Sequence, residues 1–231
     1  MFLYLLFEPN LTFQLKIMIL CVYTIVIVIA MSAHEFAHAF AAVKSGDNTP
    51  KALKRYSLNP FRHIDGVGLL SFLFLGIGWA RPVEINPFNF KGNYKLKMFW
   101  VSISGVLTNL IIAFLSGAIF YTWVVTNYFN FFAFDFFLYL FSSLIQVNMM
   151  LFVFNLLPIF PLDGYNAVAS FLKVDNKYCT FMRRYGNSIL WGLILVMIVI
   201  EQFTQVYPLT WLADTIYYPI DRLWSLIFLG V

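Results

Sequence analysis

Residues 17–38 read IMILCVYTIVIVIAMSAHEFAH. From Ile17 to Ala33 there is no Asp, Glu, Lys or Arg, and the run ends on two histidines and a glutamate. A bilayer-spanning helix needs about 20 apolar residues, so this stretch reads as one long membrane helix, Leu15 to Val43, with ionisable groups near one end. Residues four apart share a helical face. His34 and His38 can therefore aim two imidazoles at one ion, while Glu35 lies about 100° round and reaches a water beside that ion rather than the ion itself. A buried ionisable side chain costs at least about 2.5–3.5 kcal/mol in mid-bilayer. Three of them within five residues call for a common purpose.

Composition agrees with a membrane setting. Of 231 residues, 61% are apolar, 20% aromatic and only 11% charged, against roughly 25% charged in soluble domains. Mean hydropathy is +0.79. This excludes an ordinary soluble enzyme and fits one membrane-embedded domain over 1–231, with a catalytic core at about 13–170. The net charge of +4 does not point to nucleic acid, because the basic residues lie between apolar runs instead of forming a patch on a folded face. Loops 44–66, 81–97 and 171–187 hold 13 of the 15 Lys and Arg, which places all three on the cytoplasmic side.

Further spans are expected at Met98–Val125, Leu138–Leu157 and Tyr185–Ile200, with the apolar tail Ile216–Val231 either interfacial or re-entrant. Segment 66–80 is too short to cross and holds Gly66, Gly68, Gly76 and Gly78. A dip that returns to its own side keeps both flanking basic loops together, so a re-entrant or β-hairpin segment is expected. The fold class is thus an all-α polytopic membrane protein: a three-helix catalytic core, a re-entrant or hairpin segment, and additional C-terminal hydrophobic helices. The acidic connections 126–137 and 201–221 belong on the outer side. Met1 to Asn10 lacks the basic start and cleavage site of a signal peptide. Cys21 and Cys179 fall at different depths, so no disulfide is expected.

A catalytic zinc usually takes three protein ligands and leaves one position for water. The other acidic residue in an apolar context on the cytoplasmic side is Asp163, in Asn155-Leu-Leu-Pro-Ile-Phe-Pro-Leu-Asp163-Gly164. Pro158 and Pro161 unwind the helix end, and Gly164 leaves the backbone free beside the carboxylate. Glu84, in a basic loop, and Glu201, on the outer side, suit the site less well. Asn109 is a lone amide in a long charge-free span; interhelical bonding and catalytic assistance weigh equally for it. Packing is the preferred role for Asn148 and Asn155, and a structural role for His63.

The membrane-embedded HExxH at residues 34–38 with a distal Leu162-Asp163-Gly164 resembles the site-2 protease family of intramembrane zinc metalloproteases. Asn59-Pro60-Phe61-Arg62-His63-Ile64-Asp65 resembles that family's Asn-Pro-x-x-His-Ile-Asp loop. Gly78-Trp79-Ala80-Arg81-Pro82-Val83, with Asn86-Pro87, resembles its Gly-Trp-Ala-Lys-Pro-Val segment, and Ser104-Gly105-Val106-Leu107-Thr108-Asn109 its Gly-Pro-x-x-Asn element. The likeness covers about residues 30–170. Val106 stands where the family usually has Pro, and Gly66 where Pro commonly follows His-Ile-Asp.

The resemblance implies one Zn2+ per chain held by His34, His38 and Asp163, Glu35 as general base and later acid, and Asn109 near the scissile carbonyl. It implies an endopeptidase acting on a transmembrane segment of a membrane protein, in a prokaryotic inner or plasma membrane, with the site towards the cytoplasm. A compact form without a PDZ or CBS domain is expected, leaving regulation to prior trimming of the substrate, a membrane partner or the bilayer. Residues Trp79–Val83 are expected to offer an extended edge to an unwound substrate. The competing readings are a membrane metal-binding or transport protein and a catalytically inactive scaffold relative.

Overall fold

The computed structural model describes residues 8–75, 78–126 and 134–230. Gly76, the start of the chain, Val231 and much of the 126–137 connection, with the readings attached to them, lie outside the described residues. The chain is an all-α polytopic membrane protein. Helices α1 (Phe13–Ser45), α4 (Tyr94–Thr126), α5 (Phe134–Leu156) and α7 (Lys177–Thr204) are long and apolar enough to cross a bilayer. The shorter elements are α2 (Thr49–Ala52), α3 (Gly66–Leu75) and α6 (Asp163–Ala169), and α8 (Pro208–Leu229) closes the chain. At 33 residues, α1 and α4 are each about 50 Å long, well over the ~30 Å of hydrocarbon.

Helices α1, α4 and α5 form the core. Val22, Val26, Ile27, Ala30 and Met31 of α1 pack on Leu144 and Val147 of α5. Ala113 of α4 and Met149 and Val153 of α5 meet Ala213 and Tyr217 of α8. Lipid tails are as apolar as leucine, so close backbone approach and interhelical hydrogen bonds replace hydrophobic transfer as the cement. Fully buried Ala30, Ala39, Ala42 and Ala113 allow that approach. Helix α7 is peripheral: 6% of its apolar window is buried, against 33–39% for the other three spans. The tail helix starts at Pro208, earlier than the apolar run at 216 implies, because Ala213 and Tyr217 extend its packing face around Asp214 and Asp221.

Segment 66–80 leaves and returns to one place. Ile64 and Ala80 form an isolated antiparallel bridge, and Arg81 N–H donates to His63 O at 2.7 Å. The descending limb is a helix despite its glycines, and among the described residues no strand forms. Two causes are visible. Asp65 caps the helix by accepting from Gly68 N at 2.9 Å, and in an apolar medium a helix satisfies its own backbone. The glycines instead serve the returning chain: a Cβ at Gly68 would strike Trp79 O, and one at Gly78 would strike Gly68 O. Ten residues of helix reach only about 15 Å, half the hydrocarbon thickness.

The dip makes a prediction about sidedness. In a variant lacking native cysteines, single cysteines at Lys54 and Lys91 react with an impermeant maleimide from the same face of sealed vesicles. Labelling from opposite faces would mean that segment 66–80 crosses.

Candidate metal centre

His34, Glu35 and His38 lie about two to three turns inside the C-terminal end of α1 and are 7–8% exposed. Asp163 opens α6. Between α5 and α6 the chain doubles back through residues 157–162, with Phe160–Pro161 in cis. Gly164 permits that fold-back, since a Cβ there would collide with the carbonyls of Leu156 and Leu157. Helix α7 braces the same turn: Tyr178 Oη donates to Pro158 O at 2.6 Å and Arg183 Nε to Tyr165 Oη at 3.3 Å.

The result is a triangle. His34 Nε2 and His38 Nε2 are 3.1 Å apart, and Asp163 Oδ2 lies 3.1 Å from the first and 3.2 Å from the second. Ligands about 2.1 Å from a tetrahedral zinc stand about 3.4 Å from one another, so the spacing matches within ~0.3 Å.

The protonation pattern fits too. Asn148 Nδ2 donates to Leu144 O at 2.8 Å, a carbonyl that can only accept. Asn148 therefore turns its oxygen to Asn109, which donates from Nδ2 at 2.8 Å. Asn109 Oδ1 then faces His34 Nδ1 at 2.6 Å, and His34 must donate from Nδ1. His38 Nδ1 likewise donates to Val101 O at 2.7 Å. With both protons on Nδ1, neutral rings present Nε2 lone pairs to each other and to the carboxylate. Asp163 Oδ2 is buried yet forms no hydrogen bond. Three electron-rich atoms at such range repel unless a cation lies between them, so the residues present fit a bound metal.

Glu35 is outside the triangle and accepts from Val83 N at 2.9 Å. Gly105 of α4 supplies space: a Cβ there would lie 2.5 Å from His38 Nε2 and 2.8 Å from His34 Nε2. The motif around Gly105 was visible in the sequence, but its purpose needed the neighbouring helix. Asn109 makes the interhelical bonds weighed for it as a lone amide in a charge-free span. It is fully buried, and its amide is engaged by His34 and Asn148 on the Nδ1 side of the ring. Position and partners make it an orienter of His34.

His63 is buried apart from the triangle, with Nε2 donating to Ser57 O at 2.6 Å. Among the described residues, the cluster of metal-capable side chains is His34, His38 and Asp163. Glu84 and Glu201 are exposed and outside it, and both cysteines are free.

Over 148 residues, 62% of this chain and 66% of the relative, the protein is 41% identical to a Bacillus subtilis protein named "Putative zinc metalloprotease YwhC". Over 195 residues, 74% of this chain and 63% of the relative, it is 25% identical to a Mycolicibacterium smegmatis protein named "Putative zinc metalloprotease Rip2". The chain covers less than two thirds of the length of either relative. No family model and no solved structure matches it. The chain is thus an all-α membrane protein related to proteins that bear the name zinc metalloprotease.

Partners that orient a metal-binding histidine typically account for 10–100-fold in metal affinity. Asn109→Ala therefore lowers zinc affinity by about that factor while helix content stays unchanged, as measured by competition with a chromogenic chelator. Unaltered affinity would assign the relay to helix packing alone.

Proposed function

We propose that this chain is an intramembrane zinc-dependent endopeptidase of the site-2 protease type, hydrolysing a peptide bond within or near a transmembrane segment of a membrane protein. The observation that carries this reading is the His34–His38–Asp163 triangle with Glu35 beside it, held inside an apolar helix bundle. One domain spans the chain, with its catalytic core at about 13–170. Its setting is the lipid bilayer of a prokaryotic inner or plasma membrane, the site faces the cytoplasm, and nucleic acid plays no part.

His34 Nε2, His38 Nε2 and Asp163 Oδ2 would hold one zinc ion, with Asn109 and Val101 O fixing the two rings. When bound, zinc supplies Lewis acidity and water acidic enough to lose a proton near neutral pH. Glu35 accepts that proton at its carboxylate and returns it to the leaving amine, so the cycle needs no covalent intermediate.

A helical substrate hides its carbonyls and must unwind first. Residues 80–83 run extended beside the site, and their inner edge is already engaged: Arg81 N–H points to His63 O and Val83 N–H to Glu35. A substrate carbonyl that takes the Val83 N–H releases the Glu35 carboxylate for proton transfer. Tyr23, Ile27 and Met31 recur four residues apart on the α1 face that carries Glu35. They line an apolar cavity of about 380 Å³ with Phe72, Met150 and Ile198, which suits the side chains of a transmembrane segment.

Three experiments test this. Purified protein in detergent, incubated with a panel of single-span membrane peptides, cleaves at least one member, and a zinc chelator abolishes the cleavage. Chelator-insensitive cleavage contradicts the mechanism. Glu35→Gln abolishes cleavage while retaining zinc; a metal-transit site would lose little function from the same change. Val83→Pro removes the edge N–H and reduces cleavage with zinc content intact, whereas undiminished cleavage rules the edge out.

A further inference from the structure

A third carboxylate lies away from the triangle and is more completely buried than either of the others. Asp47 follows α1 by two residues and has no exposed surface. Its Oδ1 accepts from Thr49 N at 3.0 Å, Thr49 Oγ1 at 2.6 Å and Asn89 Nδ2 at 2.8 Å, and its Oδ2 accepts from Asn86 N at 2.7 Å. No cation is among these partners. A buried carboxylate is tolerable when neutral donors of this number surround it. Burial opposes its charge, but the hydrogen bonds prevail and hold its carboxyl below the usual carboxylate range.

These bonds join the end of α1 to the turn at Pro87–Asn89. The same joint is closed twice more. Lys91 N donates to Ser45 O at 2.8 Å. Gly46, at φ 110°, leaves room for Asn89 O, which a Cβ would approach to 2.9 Å. Asn86 is three residues beyond Val83, whose N–H rests on Glu35. Glu35 itself sits three turns back along α1. Asp47 therefore closes a loop from α1, through the 83–89 chain, back to α1, and the chain's position over Glu35 depends on it.

We propose that Asp47 is a positioning residue that fixes the Val83 N–H against Glu35, setting the carboxylate and the substrate edge in register. The consequence for catalysis rests on the protease reading above; the structural part does not.

Asp47→Asn is a narrow probe, because an amide oriented to keep the three Oδ1 bonds turns its NH2 against Asn86 N–H. In the zinc-loaded, full-length protein, hydrogen exchange at Val83 and Asn86 accelerates at least tenfold, while amides in the middle of α1 and α4 and the zinc content stay at wild-type levels. Because a misplacement of about 1 Å can slow catalysis by up to about a hundredfold, kcat falls about tenfold or more while KM moves less than threefold. Asn89→Ala removes one donor without touching α1 and gives the same pattern more weakly, which covers the case where Asp47→Asn fails to fold. Unchanged exchange at Val83 in the folded variants overturns the proposal. So does faster exchange with unchanged kcat. Should the wild type cleave no peptide, the protease reading falls by itself, and the exchange result still decides whether Asp47 holds Val83.

Discussion

An apolar solvent offers no partner to an amide or an imidazole, and the interior of this molecule is arranged around that fact. The chain Leu144 O, Asn148, Asn109, His34 crosses from α5 through α4 to α1, and each member is satisfied by the next. It begins at a carbonyl that can only accept, so no member can reverse without stranding another in a low-dielectric core. The relay therefore performs two tasks together. It ties three helices whose association gains nothing from the hydrophobic effect, and it forces the His34 proton onto Nδ1 so that Nε2 is left for a cation. A mismatched amide would loosen the bundle and spoil the ligand in one step.

How much of this could be read from residues alone follows from the distance over which each feature acts. The pairing of His34 and His38 needs only helical geometry over four positions. The two-sided basic flanks of 66–80 implied a return, and the Ile64–Ala80 bridge is that return. Asp163 could be matched to the histidines by depth, because charge gaps report depth. The role of Asn109 could not be read: its partners are 75 and 39 residues away in sequence, and a lone amide looks alike whether it faces a substrate or a neighbouring ring. Gly105 and Gly164 were visible as glycines, but the atoms that exclude a side chain there belong to other segments. The helix in 66–75 was obscured because glycines disfavour a helix in water, whereas the apolar surroundings of this segment favour internal hydrogen bonding.

Three acidic side chains towards the C-terminal end of α1 show how one chemical group is put to different uses by its company. Asp47 has four donors for its two oxygens and no work left for its lone pairs. Glu35 has a single backbone donor, Val83 N–H, which a competing carbonyl can take from it. Asp163 Oδ2 has no hydrogen bond and faces two lone-pair nitrogens. The gradient runs from saturated to exchangeable to deficient. It matches what structure, proton transfer and cation binding respectively demand of a carboxylate. A bundle selected for packing alone would saturate all three, since each incomplete shell in an apolar interior costs about 1–3 kcal/mol or more. Among these three carboxylates the incomplete shells are the two that a ligand or a substrate can complete, and this division is a physical argument that Glu35 and Asp163 are held for more than the fold.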